Sequence, residues 1–398
     1  MNLLSANNLN SNMFTTLFTM LFIVFAFLPL IPVIPAVTVS TKYGKIEGLV
    51  ASYPNSSSPF KTVRKFLGIP FAAPPIGELR FRAPQPPMAW KPNIRLAKKH
   101  GNICLQDTAF EFYFKVYARS FTFSEDCLYL DIYTPNVSLS LPVLFYIHGG
   151  GFQADTAFRY PSDILALQGV VVVVIQYRLG AFGFLTTGDS ASPGNFGMLD
   201  QVEALKWVKE NIESFGGNPN KVTIFGESAG GMSVGLHLMS PLSKGLFHQA
   251  IAESGVDLCL SAIQPISYGL RYAKDLAQTL HCNTSNHKEM VACFREKKGT
   301  DIQKAANAMV TKLRFIDHMQ WAPVVDKNFL NDMPINLRKK GHFSKVPLIV
   351  SFNSHEGSML LEIIAGTSLG LNESLDKGAS PTFFKSFLTK FAHVRNSR

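Results

Sequence analysis

The chain has 398 residues, 46% of them apolar and 17% charged, with a net charge of +10. That length suits one large domain or two ordinary ones, and the composition excludes a disordered chain or a coiled coil. Lys and Arg are scattered and no nucleic-acid-binding motif accompanies them, so the charge reads as a basic solvated surface with no nucleic-acid partner.

The N-terminus is distinctive. No charge precedes Lys42, and Met13 to Leu28 form a compact apolar block followed by Pro29, Pro32 and Pro35. The block is short for a membrane span, and the prolines break a helical extension. It reads as a secretory signal over residues 1–36, cleaved near Ala36, ahead of a domain over 37–398. An uncleaved anchor is the alternative, because the first residues lack a positive charge and the cleavage site is not a clean A-x-A. The expected location is secreted, or the lumen of the secretory pathway.

Cysteine usage agrees with that compartment. Five cysteines allow two disulfides and one free thiol. Cys104 lies near Cys127 and Cys282 near Cys293, so local pairing that leaves Cys259 alone is the simplest arrangement, although spacing alone leaves other pairings open. No C-x-x-C pattern points to a metal. Sequons at Asn55, Asn136, Asn283 and Asn372 offer glycan sites in turn-like contexts.

Residues 59–90 are rich in Pro and read as an irregular packed loop rather than a domain linker. Strands and helices then alternate. Leu141 to His148 and Gly169 to Tyr177 are apolar at nearly every position, as in parallel strands covered on both faces. Leu199, Val202, Leu205, Val208 and Ile212 form a helix face that ends at Gly216 and Gly217. Lys221 to Phe225, His248 to Ser254 and Lys345 to Asn353 read as further strands, the last of them buried. The rhythm predicts an α/β fold with a mostly parallel central sheet flanked by helices.

Two motifs carry chemistry. Gly226 to Gly230 read G-E-S-A-G after a strand and before a helix. Such a turn strains the serine backbone and holds the Ser228 Oγ exposed at a helix N-terminus. Tyr146 to Phe152 read Y-I-H-G-G-G-F, a glycine run at the end of another strand. The N–H groups of Gly149 and Gly150, with that of Ala229, are candidate donors to the oxyanion that forms when an ester carbonyl is attacked.

With S-E-D-C-L-Y-L-D-I-Y-T-P at Ser124 to Pro135 and F-G-E-S-A-G-G-M-S-V at Phe225 to Val234, the chain resembles the type-B carboxylesterase and cholinesterase family. The resemblance runs from about Val39 to Leu361. It implies an α/β-hydrolase fold and a secreted or luminal serine esterase that needs no metal or organic cofactor and takes a small-molecule ester. It also implies the pairings Cys104–Cys127 and Cys282–Cys293. The family's acid occurs in an N-x-x-E-G context, which falls on Glu356. Glu227, the variable position of the elbow, reads as a support beneath the site.

The base is harder to place. In this fold the order is Ser, acid, His, and the family's histidine lies roughly a hundred residues beyond the acid, past Arg398. His148 opens the glycine run with a backbone role, His355 adjoins the acid but points away, and His237 and His248 read as core or surface residues. His393 follows Glu356 but lacks the expected glycine and acidic neighbours. The expectation is a fold incomplete at its C-terminus. Its turnover is impaired, since losing such a base can cost roughly 10⁶-fold. Phe383, Phe384, Phe387, Leu388 and Phe391 share a helix face beside basic residues. That face would be uncovered, and with an uncleaved N-terminal segment it is the one expected route to membrane contact. The alternative function is a non-catalytic binding or adhesion member of the family, against which the intact Ser228 argues.

Overall fold

A computed structural model describes residues 36–106, 122–309 and 319–356. The N-terminal apolar block, Asn372, His393 and the C-terminal helix face lie outside the described residues. Among the described residues no helix is long and apolar enough to cross a membrane.

The first strands form an antiparallel meander. β1 (Ala36–Thr41) pairs with β2 (Gly44–Ser52), and β2 with β3 (Thr62–Pro70). β4 (Ile94–Leu96) lies parallel to β2, and β5 (Ile103–Cys104) and β6 (Phe123–Ser124) form a separate short pair. β7 (Tyr129–Thr134) completes the meander against β3. The loop expected over 59–90 is therefore interrupted by a central strand. β3 hides its alternation because both of its faces are covered: Val63 and Leu67 enter one core cluster, Phe66 and Ile69 the other.

The second half is a parallel array. β8 (Leu141–Ile147), β9 (Val171–Ile175), β10 (Gly217–Glu227), β11 (Gln249–Glu253) and β12 (Leu348–Ser351) extend the sheet in the order β1-β2-β3-β7-β9-β8-β10-β11-β12. Pairing is antiparallel as far as β7 with β9 and parallel from β9 with β8 onward. The sheet is thus mixed, and its parallel character belongs to the half that carries the glycine run and Ser228. On β9, Val171, Val173 and Ile175 face one cluster and Val172 and Val174 the other, which explains an unbroken apolar run.

Among the described residues the helices are α1 (Asp163–Ala166), α2 (Gly180–Phe184), α3 (Phe196–Asn211), α4 (Ala229–Met239), α5 (Ile266–Thr279), α6 (His287–Glu296), α7 (Gly299–Ala308) and α8 (Pro334–Lys339). α3 carries the expected apolar face. It passes through a 3-10 turn at Ile212–Phe215 and stops at Gly216, whose φ of 79° favours glycine.

β12 departs from expectation. Its sequence is that of a buried strand, yet Leu348, Ile349 and Val350 are 41%, 61% and 51% exposed. Among the described residues it is the outer strand and pairs with β11 alone, so position overrides composition.

Two disulfides join Cys104 to Cys127 and Cys282 to Cys293, and Cys259 is free. Beside the first, Arg80 grips Glu125 through Nε and Nη2, both at 2.6 Å. Its Nη1 donates to the carbonyls of Phe294, Arg295 and Lys297 at 2.7–3.0 Å, closing the C-terminus of α6.

Candidate active site

Strand register assembles the site. Ile147 pairs with Gly226 across β8 and β10, so the glycine run and the G-E-S-A-G turn leave adjacent parallel strands side by side. Glu227 pairs with Glu253 on β11, and Glu253 with Ser351 on β12. His148–Gly151, Ser228, Ser254 and Glu356 therefore follow the carboxyl ends of four neighbouring strands, where open α/β sheets collect their sites.

Ser228 caps α4 with φ 57° and ψ −120°, a strained conformation for a residue with a Cβ. Its N–H donates to the Glu253 carbonyl at 2.9 Å, and its own carbonyl accepts from the Met232 N–H at 2.9 Å. Close packing explains the flanking glycines. A Cβ at Gly230 would stand 2.1 Å from the Ile147 carbonyl oxygen, and one at Gly226 2.5 Å from the same atom.

The glycine run faces this turn. A Cβ at Gly149 would meet the Glu227 carbonyl oxygen at 2.8 Å, Glu227 Oε2 at 2.9 Å and Ser228 Cβ at 3.3 Å. The N–H groups of Gly149, Gly150, Gly151 and Ala229 donate to no acceptor in the protein among the described residues. Free donors beside a half-buried hydroxyl suit an anionic oxygen. Glu227 is exposed as a residue, but its carboxyl lies against Gly149. Desolvation there, then the charges of Asp155, Glu356 and Glu253, push its pKa up.

Glu356 is held at the far end of the row. Ser254, at φ 48°, donates its hydroxyl to Glu356 Oε1 at 2.6 Å, and the Asn353 N–H donates to the same oxygen at 2.7 Å. The Ser254 hydroxyl, then the Asn353 amide, hold the carboxyl below the usual glutamate range, which keeps it ionised at neutral pH. Asn353 is the first residue of the N-x-x-E-G context that marked Glu356, whereas Ser254 escaped the sequence reading. The signal available for Ser254 was its position just beyond the end of a parallel strand.

The histidines occupy other places. His148 is fully buried and stacks on Tyr177, and burial pushes its pKa down. His237 sits within α4 between Ser243 Oγ at 2.7 Å and Gln201 Oε1 at 2.9 Å, and burial pushes its pKa down to about 3. His248 lies just before β11 and accepts the Val222 N–H at 3.2 Å. His355 bonds Ser354 Oγ at 2.8 Å. Neither the Ser228 hydroxyl nor the Glu356 carboxylate bonds a histidine among the described residues. No group of histidine, cysteine and carboxylate residues suited to a metal occurs among them either.

The "Carboxylesterase family" model matches residues 35–396. The chain belongs to the carboxylesterase family. Mouse carboxylesterase 5A is 40% identical over 345 residues, covering 84% of this chain and 58% of its own length. Pig liver carboxylesterase is 39% identical over 372 residues, 88% of this chain and 63% of that protein. Rat pyrethroid hydrolase Ces2e is 41% identical over 333 residues, 82% of this chain and 56% of that protein. The chain spans roughly three-fifths of the length of these carboxylesterase relatives. Its mixed sheet with flanking helices is the α/β-hydrolase architecture expected of the family.

Proposed function

We propose that the chain is a serine-dependent carboxylic ester hydrolase. The observation that carries the reading is the strained Ser228 at the start of α4, facing a loop whose N–H groups are free. Ser228 Oγ attacks the ester carbonyl. The N–H groups of Gly149, Gly150 and Ala229 stabilise the oxyanion, the alcohol leaves, and water hydrolyses the acyl-enzyme. Glu356 orients and stabilises the histidine that takes the Ser228 proton, a residue that the described part of the chain does not place beside Ser228. No cofactor takes part in this scheme. The substrate is a small-molecule ester, in keeping with the esterase relatives. The two disulfides and the exposed sequons at Asn55 and Asn283 support a secretory-pathway glycoprotein. Asn136 is half-buried, with its Oδ1 accepting from the Ser138 N–H.

A second reading, a binding protein of the same fold with little turnover, draws on the Ser228 hydroxyl having no histidine partner among the described residues. One experiment separates the two. The purified chain is exposed to a fluorophosphonate and to 4-nitrophenyl acetate, beside Ser228→Ala. Esterase function predicts a covalent adduct on Ser228 and hydrolysis that falls to background in the variant. Equal hydrolysis by both proteins, or no adduct, would sink it.

A further inference from the structure

We propose that Tyr177 is a positioning residue that aims the N–H groups of Gly149 and Gly150 at the reacting oxygen. The inference rests on the esterase reading above. A peptide unit is planar and trans, so its C=O and N–H point in opposite directions. Whatever grips the carbonyl of one unit therefore sets the direction of that unit's N–H.

The Tyr177 hydroxyl reaches the carbonyls of the glycine run. It donates to the His148 carbonyl at 2.9 Å, with a longer contact of 3.4 Å to the Gly149 carbonyl. The His148 carbonyl shares a peptide unit with the Gly149 N–H, and the Gly149 carbonyl shares one with the Gly150 N–H. His148 Nδ1 adds a second hold on the Gly149 carbonyl at 3.1 Å. Both carbonyls are thus held by buried side chains, and each N–H points away from the carbonyl of its own peptide unit; a Cβ at Gly149 would stand 3.3 Å from Ser228 Cβ, so these units lie beside the nucleophile.

The anchor is rigid. Tyr177 and His148 are fully buried, with ring centroids 4.4 Å apart and planes 23° apart. Burial raises the phenol pKa well above its ordinary value, so the hydroxyl stays a donor at any working pH. Tyr177 itself is fixed from the sequence side, since the next residue, Arg178, is locked to buried Asp200 by two side-chain bonds and one backbone bond.

Tyr177→Phe tests this, because it keeps the ring on His148 and removes only the hydroxyl. Tyr133→Phe serves as control, being a buried phenol with no hydrogen bond to the described residues. Two readouts are taken on the full chain. In glycine-selective ¹⁵N spectra of the unliganded protein, Gly149 and Gly150 amides should move in Tyr177→Phe and hold still in Tyr133→Phe. Acylation of Ser228 by 4-nitrophenyl acetate, followed by intact mass, should slow about tenfold at saturation with KM unchanged, a fraction of the loss seen on deleting a whole oxyanion donor. Unmoved amides overturn the proposal, and so does unslowed acylation. If acylation in the parent chain survives Ser228→Ala, the esterase reading fails instead, and the amide resonances alone decide whether Tyr177 holds the loop.

Discussion

The Arg178–Asp200 pair offers a quantitative test of how the site is supported. Nε and Nη2 of Arg178 reach the two Asp200 oxygens at 2.8 and 2.7 Å, and the Arg178 backbone N–H adds a bond of 3.0 Å. Their side chains are 3% and 0% exposed. Arg178→Met would leave a buried carboxylate with one backbone donor, at a cost of about 3–5 kcal/mol. Asp200→Leu would strand a guanidinium whose Nη1 already lacks a partner, at a similar cost. Replacing both removes both charges, and the double variant should lie within about 2 kcal/mol of the parent, because paired hydrophobic replacement of a buried ion pair is often neutral. Urea titration followed by the fluorescence of buried Trp207 and Trp321 reports the three differences. Losses in the double variant equal to the sum of the singles would refute the reasoning, since they would mean the charges act through packing alone.

Two further expectations concern protonation. Glu356 has a depressed pKa in the folded chain, so its contribution to stability is present above the unfolded value and is lost as pH falls through the folded one. Ser254→Ala removes the largest cause of that depression, and the Glu356 titration midpoint, read by ¹³C carboxyl resonances, should rise; an unchanged midpoint contradicts the assignment. His237 behaves with the opposite charge. Its folded pKa, about 3, lies below its unfolded value near 6.5, so the unfolded chain binds the extra proton and stability declines as pH falls across that window. His237→Gln should flatten the acid limb of the stability curve between those values. A limb as steep as the parent's would place the acid sensitivity elsewhere.

The parallel half of the sheet was legible because β8 and β9 are apolar on both faces, and that pattern survives without neighbours. The nucleophile turn and the glycine run were legible for a related reason: backbone crowding at Gly149, Gly226 and Gly230 excludes any side chain. β3 was hidden by the prolines around it and by core contacts on both faces, which erase the period of two. β12 had a buried strand's composition, but exposure depends on what stands beside a strand, and composition is silent on that. Tyr177 and Ser254 carry their importance in a single hydroxyl each. Their carbonyl and carboxylate partners lie 29 and 102 residues away in sequence, and only strand register brings them together.

Arg80 bears on the order in which the molecule can be built. Its guanidinium closes α6 through carbonyls 214 to 217 residues later in the chain. At ordinary rates of synthesis those carbonyls follow roughly 10–40 s after Arg80 itself. For that interval Arg80 and Glu125 can find each other but not their third partner, and long-range closures of this kind are slow to form. The contact of Arg80 with the end of α6 can therefore close only after that helix has been made. The same guanidinium that fastens the finished structure ties Arg80 to a helix end made more than two hundred residues later.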